Sequence, residues 1–294
     1  MTITDIPALI ETDWLAAHLG DPALRVLDCT VHLSTDPVTG ERRVESGRAG
    51  WEQSHIPGSA FADLIHDLSD PSFTRYSFPL PPAAQFADVM SRLGVGDDSA
   101  VVLYDARGNM WAARLWWLLR YNGFDRAGVL DGGWTKWRAE GRPVSVESPA
   151  HSPARFTSRP RPRLIADKDE VLAAINKPGS CLLDALSPDS FSGREHRVDG
   201  RVGHIPSAVN VPALHPGGIV DPETMTYLPL GALCSRFAAA GVSNSGRIIT
   251  YCGGGIAASS AALALHLIGV PDVAVYDGSL SEWRSDPNLP LETS

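Results

Sequence analysis

The chain carries the same ordered set of landmarks twice. A short apolar run ends in an aspartate at Asp28 and again at Asp184. A His-Ile-Pro turn follows at His55 and at His204, and a second apolar run ends in Tyr104-Asp105 and in Tyr251-Cys252. Each copy then closes on Asp-Gly and a tryptophan, Asp131-Gly132 with Trp137 and Asp277-Gly278 with Trp283. The offsets between these pairs are 156, 149, 147 and 146 residues, near enough to constant that the chain is a tandem duplication. A length of 294 residues suits two cores better than one. The expected division is a first domain at 1–145, a linker at 146–163 and a second domain at 164–294. The linker expectation rests on the Ser, Pro and Arg of SPAHSPARFTSRPRP, which has no apolar periodicity.

Within the first copy, Thr12 to Leu19 reads as a helix with Thr12 or Asp13 as N-cap and Gly20 as stop. Leu24 to Cys29 reads as a strand, and the polar stretch from Thr35 to Gly50 as a loop. Phe86 to Leu93 follows as a helix, Ala100 to Tyr104 as a strand, Ala112 to Tyr121 as a helix closed by Asn122-Gly123, and Gly128 to Leu130 as a last strand. Asp167 to Ile175 and Cys181 to Asp184 repeat the opening helix and strand. Alternating strands and helices predict an α/β chain of two domains, each a mostly parallel sheet flanked by helices on both faces. Ligands in such sheets collect beyond the carboxyl ends of the strands, where Asp105 and Cys252 fall.

A net charge of −9, from 25 basic and 34 acidic residues, gives no electrostatic reason to expect nucleic acid or an anionic membrane as partner. The N-terminal MTITDIPALIETDW has neither a basic nor an apolar targeting region, so a cytoplasmic protein without membrane association is expected. Cys29, Cys181, Cys234 and Cys252 form no C-x-x-C pair; they read as free thiols in a reducing compartment, with no metal site and no cofactor. Cys29, Cys181 and Cys234 read as inert core.

Cys252 differs from these three in its immediate neighbours. Ile248 to Tyr251 is a β-prone run, Gly253, Gly254 and Gly255 form a tight loop, and the Ala/Leu-rich segment to Gly269 is a helix. A thiol at that junction faces a cluster of backbone N–H groups and a helix N-terminus, both of which favour an anion. A dinucleotide site competes for the same glycines, since Gly253 to Ala258 fits G-x-G-x-x-A. Only 17 residues lie beyond Asp277, however, too few for the rest of such a fold. A phosphatase would want arginine six residues after the cysteine, where Ala258 stands. His55 and His204 occur in both copies, including the one lacking a cysteine, and so read as turn-fixing rather than catalytic. Asp28, Asp131, Asp184 and Asp277 read as loop support for the same reason, with Asp277-Gly278-Ser279 a candidate lining of the pocket, and the tryptophans Trp111, Trp116, Trp117, Trp134 and Trp137 as core.

This ordered set, from about Thr12 to Pro290, resembles a tandem-domain rhodanese, a sulfurtransferase of the thiosulfate and 3-mercaptopyruvate type. The resemblance implies a first domain that is catalytically inactive, with Asp105 in place of cysteine, and a second domain with Cys252 as nucleophile at the domain interface. It implies that the loop of Cys252 with Gly253, Gly254, Gly255, Ile256 and Ala257 cradles a persulfide, made from a small-molecule sulfur donor and passed to cyanide or a thiol in a ping-pong cycle. Family members that use thiosulfate carry two basic residues after the cysteine, and those that use mercaptopyruvate carry Gly-Ser. Gly253 and Gly254 here match only the glycine of the latter. Phe78 stands where the mercaptopyruvate enzymes have a histidine, while Asp63 matches their acidic residue. Of two family arginines that grip the donor, one falls on Arg197 and the other on Ser190, with Arg194 or Arg201 as candidates to replace the latter. The expected substrate-binding set is therefore Arg197, Asp63 and Arg194. The alternative is a non-enzymatic persulfide carrier or sulfur-sensing module, to which the short supply of donor-binding groups points.

Overall fold

The computed structural model describes residues 3, 6–35, 42–149, 151–195, 201–242 and 246–294. The first half runs β1 (Leu9–Ile10), α1 (Thr12–His18), β2 (Leu24–Asp28), β3 (Val31–Thr35), β4 (Arg42–Ser46), α2 (Arg48–Gln53) and β5 (Ser59–Phe61). It continues with α3 (Ala83–Arg92), β6 (Ala100–Tyr104), α4 (Met110–Tyr121), β7 (Ala127–Leu130) and α5 (Gly133–Ala139). The second half runs β8 (Ile165–Ala166), α6 (Lys168–Ala174), β9 (Ser180–Asp184), α7 (Pro188–Ser192) and β10 (Val209–Asn210). It ends with α8 (Leu230–Ala239), β11 (Arg247–Tyr251), α9 (Ile256–Leu267), β12 (Val273–Tyr276) and α10 (Ser279–Ser285).

Each half builds a five-stranded parallel sheet, and the two share one order. The first is β1-β7-β6-β2-β5 and the second β8-β12-β11-β9-β10. The central strands are buried on both faces, AVVLY of β6 completely, as a parallel sheet covered by helices requires. Two satellite clusters fill the outer faces, around Tyr104 and Trp137 in one half and around Tyr251 and Trp283 in the other. The largest cluster runs through both halves, because α4 and α9, the helices that follow Asp105 and Cys252, pack on each other.

Three expectations are corrected. Within the stretch expected as a loop from 35 to 50, residues 36–41 lie outside the described residues, and the rest is not loop: β4 pairs antiparallel with β3, Val31 opposite Ser46 and Leu33 opposite Val44, and α2 begins at Arg48. Cys234 lies exposed on α8 rather than in the core, because that helix buries Leu233 and Phe237 on its other face. The third concerns Cys181, which is only half-buried, while Cys29 is fully buried as expected. The segment between the halves is extended but pinned to the first domain. Phe156 is buried against Phe86 and Phe124, and the N–H groups of Ala154 and Arg159 donate to the carbonyls of Ser91 and Asn122.

The two histidine turns are fixed as anticipated. His55 stacks on Trp51, with Nδ1 at 2.6 Å from the Trp51 carbonyl and Nε2 at 3.0 Å from that of Glu147. His204 stacks on Phe191, with Nδ1 2.8 Å from its carbonyl. Both rings therefore anchor backbone.

Asp184 ends β9 with no exposed surface. Its Oδ1 accepts the Leu186 N–H at 2.8 Å, whereas Oδ2 has no hydrogen-bond partner among the described residues. Burial pushes its carboxyl from the ordinary 3.8 up to about 7, and the matching Asp28 at the end of β2 up to about 6. The folded state thus binds more protons than the unfolded chain between about pH 4 and 7. The stabilisation from these protons is complete below the unfolded value and is lost as pH rises through about 7. Asp184→Asn is expected to flatten this decline, worth up to about 4 kcal/mol for a carboxyl so displaced. Urea unfolding of both proteins at pH 5 and pH 8 measures it; equal slopes would show that Asp184 is not the titrating group.

Candidate active site

Cys252 follows β11 directly and is 3% exposed. Gly255, at φ 81, turns the chain into α9, so that Cys252 lies at the N-terminal end of a twelve-residue helix. The first N–H groups of a helix have no carbonyl four residues back, which leaves those of Ile256, Ala257 and Ala258 available to an anion.

The loop is braced from behind by Ser279. Its Oγ accepts the N–H of Cys252 and that of Gly255, each at 3.1 Å, and donates to the Tyr276 carbonyl at 2.8 Å. The N–H of Leu280 donates to the Cys252 carbonyl at 2.9 Å and that of Ser281 to the Gly253 carbonyl at 2.9 Å. Ser279 has φ 48, a left-handed conformation occupied in the first half by Gly133 at φ 50. Serine at a position suited to glycine costs backbone energy, and what it adds is the hydroxyl that receives two loop N–H groups.

The equivalent loop of the first half displays the geometry with its occupant in place. Asp105 is 1% exposed. Its Oδ1 accepts the N–H groups of Arg107 at 2.6 Å and Asn109 at 3.1 Å, and its Oδ2 those of Trp111 and Ala112, both at 2.8 Å. Burial raises the Asp105 carboxyl, and these four N–H groups oppose that rise. The helix begins five residues after Asp105 and four after Cys252, so Trp111 and Ala112 correspond to Ala257 and Ala258. A side-chain group reaching one atom beyond the first heavy atom after Cβ is thus held by backbone alone in this architecture.

The two halves also reach across to each other reciprocally. Asp277 accepts the Leu80 N–H at 2.8 Å and the Tyr76 hydroxyl at 3.2 Å, and Asp131 accepts the Tyr227 N–H at 2.8 Å. Phe78 and Met225, both at φ 58, occupy matching places on the two crossing arms. The Ser77 carbonyl lies 3.7 Å and Ser281 Oγ 3.8 Å from where a Cβ on Gly254 would be, so the first half lies over the Cys252 loop. Arg114 of α4, 1% exposed, donates through Nη2 to the Phe78 carbonyl at 2.7 Å and meets Asp277 Oδ1 at 2.7 Å.

Of the substrate-binding residues expected from the sequence, Arg197 lies outside the described residues. Asp63 is buried but faces its own loop, accepting the N–H groups of Ile65 and His66 at 3.0 Å and the Ser46 hydroxyl at 3.1 Å. Burial would raise its carboxyl, but His66 and Ser46 outweigh burial and hold it below the usual value. Arg194 is exposed and bound to Asp189 at 3.0 Å, while Ser190, where the family arginine is missing, is buried. Arg201 donates to the carbonyls of Arg284, Asp286 and Leu289 and holds the C-terminal segment. Phe78 packs edge-on to Trp111, with ring centroids 4.9 Å apart. The cradle residues come together, whereas Asp63 and Arg194 are engaged elsewhere. Sequence reasoning sets Asp277-Gly278-Ser279 beside the pocket but misses the bracing role of the Ser279 hydroxyl, and it misses Arg114. Arg114 leaves a signal, a charge within the apolar helix AARLWWLLRY.

No group of three or more His, Cys, Asp or Glu side chains suited to a metal ion occurs among the described residues. None of their helices is long and apolar enough to cross a membrane. The rhodanese-like domain profile matches residues 11–140 and again 167–286. Over 97% of its length the chain is 37% identical to a Pseudomonas aeruginosa protein named "Probable 3-mercaptopyruvate sulfurtransferase", covering 98% of that protein. It is 32% identical to the sulfur carrier protein TtuD of Thermus thermophilus, over 96% of this chain and 95% of that one. Among solved structures it is similar to SseA of Escherichia coli, described with the rhodanese fold of 3-mercaptopyruvate sulfotransferases, at a TM-score of 0.77 and 30% identity over 93% of this chain and 99% of that one.

Proposed function

The chain belongs to the rhodanese-like family and is a sulfurtransferase, and from that membership we propose that it works through a persulfide on Cys252, with the first domain, 1–145, carrying no nucleophile. The observation that carries this reading is the Asp105 carboxylate, held by four backbone N–H groups in the equivalent loop. A persulfide likewise puts its charged atom one bond beyond the first heavy atom after Cβ, and the N–H groups of Gly254, Ile256, Ala257 and Ala258 are its proposed partners, that of Gly255 being taken by Ser279.

In the first half-reaction the Cys252 thiolate attacks the outer sulfur of the donor. With 3-mercaptopyruvate the C–S bond breaks, its electron pair stays on carbon as an enolate, and the thiol proton completes pyruvate. With thiosulfate the S–S bond breaks and sulfite leaves. In the second half-reaction cyanide or a thiolate attacks the outer sulfur of the persulfide, and the pair of the broken S–S bond returns to Cys252 as thiolate.

We favour mercaptopyruvate, because neither Gly253 nor Gly254 offers a side-chain charge to a dianion and because the Pseudomonas relative bears that name. Arg197 is the proposed anchor for the donor carboxylate. Steady-state assays with each donor and cyanide as acceptor test the assignment. The expected kcat/KM is at least about tenfold higher with mercaptopyruvate, a difference of about 1.4 kcal/mol. Equal values, or a preference for thiosulfate, would reverse it.

A second reading, a persulfide carrier that receives and delivers sulfur by protein contact, draws on two observations. Arg194 and Asp63 are bound to neighbours rather than gathered at Cys252, and one relative is named a sulfur carrier protein. Efficient turnover with small donor and acceptor alone excludes it. The free thiols of Cys29, Cys181, Cys234 and Cys252 support a reducing compartment such as the cytoplasm.

A further inference from the structure

The pseudo-symmetry of the two halves is broken at one buried position. On the side serving Asp105, Asp131 receives the Tyr227 N–H, and the Tyr227 hydroxyl lies 2.8 Å from Ser260 Oγ. On the side serving Cys252, Asp277 receives the Leu80 N–H, and the residue of α4 that matches Ser260 is Arg114. At this matched position one side has a neutral hydroxyl and the other a buried cation.

Stability alone gives a weak account of that cation. Burying an ion pair costs both partners their hydration, and apolar replacements of similar size are often neutral or stabilising. The Arg114–Asp277 contact has side chains 2% and 3% exposed, and Nη1 of Arg114 has no hydrogen-bond partner among the described residues. That atom lies 3.1 Å from where a Cβ on Gly255 would be; the Asp277 carbonyl lies at 3.1 Å and Oδ1 at 3.3 Å from the same point. Guanidinium and carboxylate thus form the floor beneath the left-handed residue at which the loop becomes α9. Asp277 also precedes Ser279, whose hydroxyl fixes the N–H groups of Cys252 and Gly255.

Resting on the reading of Cys252 as the sulfur-carrying residue, we propose that Arg114, supplied by the first domain, is a positioning residue for sulfur transfer. It holds Asp277 and the Phe78 carbonyl so that the floor of the cradle is fixed. It also cancels the carboxylate charge that would otherwise lie beneath a loop built to receive an anion. On the Asp105 side the matching position is Ser260, which carries no charge. The first half, without a nucleophile of its own, thereby contributes a charge to the second half's reaction.

The test is single-turnover persulfide formation in the full chain, monitored at saturating donor, in wild type, Arg114→Met, Arg114→Lys and Tyr227→Phe. Arg114→Met is expected to slow the saturating rate about 100-fold, as a small misplacement of reacting groups does, with the half-saturating donor concentration changed less than about threefold. Arg114→Lys, which keeps the charge without the fork, is expected to recover about tenfold of that loss. Tyr227→Phe removes a contact on the mirrored side and is expected to stay within about twofold of wild type. If Arg114→Met does not fold, Arg114→Gln, which keeps a donor for the Phe78 carbonyl but loses the charge, is read in its place, with slowing of at least about tenfold expected at unchanged half-saturation. A folded Arg114→Met within about threefold of wild type overturns the proposal, as does a lysine variant no faster than methionine. Wild type inert toward every donor overturns the Cys252 reading as well, which separates the two failures.

Discussion

Cys252→Ser is expected to abolish sulfur uptake, lowering the rate with either donor by at least about a thousandfold. The serine hydroxyl stays protonated near neutral pH and has no filled orbital as polarisable as that of a thiolate, so a nearly isosteric change removes the nucleophile and leaves the cradle. The position is buried and adjoins a loop fixed by backbone bonds that do not involve sulfur, so unfolding by urea should be little changed. A variant that still turned over at a tenth of the wild-type rate would move the chemistry to another thiol, and Cys29, Cys181 and Cys234 are the others in the chain. Burial raises the thiol of Cys29 well above its ordinary value and that of Cys181 above it too, which makes both poor substitutes.

Ser279→Ala should damage stability and rate together while leaving the nucleophile in place. It strands the N–H groups of Cys252 and Gly255, both buried, and keeps the left-handed backbone without the hydroxyl that compensates it. Two unsatisfied buried donors are worth about 2–4 kcal/mol together. A midpoint lowered accordingly in urea, with persulfide formation slowed about 10- to 100-fold at saturating donor, is the expected outcome. Ser279→Gly relieves the backbone and loses the same bonds, so it should recover part of the stability and little of the rate. Full rate in both variants would show that the loop holds its shape without this brace.

The repeat makes the architecture legible in the residues themselves. Tyr104-Asp105 and Tyr251-Cys252 end matching central strands because a parallel sheet needs continuous apolar runs there, and such runs are visible in a sequence. The pairing of β3 and β4 is hidden because only Val31 and Leu33 turn inward and the rest of both strands is polar or, like Val44 at 40% exposed, outside the core, so the alternation is too brief to separate from a polar loop. Residue type places Cys234 in the core, whereas the helix phase that turns it outward is set by Leu233 and Phe237.

The site divides in the same manner. The loop from Cys252 to Ala257 is local in sequence, so glycine spacing and the helix start are enough to find it. Its supports are not local: Leu80 meets Asp277 across 197 residues, and Arg114 meets the same carboxylate from the other domain. Such partners share no spacing rule, and only packing of α4 on α9 brings them together. The donor side differs. Arg194 and Asp63 have the right charges at the right places in the chain, yet each is bound by a neighbour, Asp189 in one case and His66 in the other.

The central claim is that sulfur is carried on Cys252. Intact-protein mass measurement after incubation of the reduced full chain with mercaptopyruvate tests it most directly. The predicted result is a gain of one sulfur atom, removed on adding cyanide, with peptide mapping to Cys252 and no gain in Cys252→Ser. No added mass in reduced wild-type protein with mercaptopyruvate or thiosulfate, or an adduct that maps to another cysteine, would contradict it.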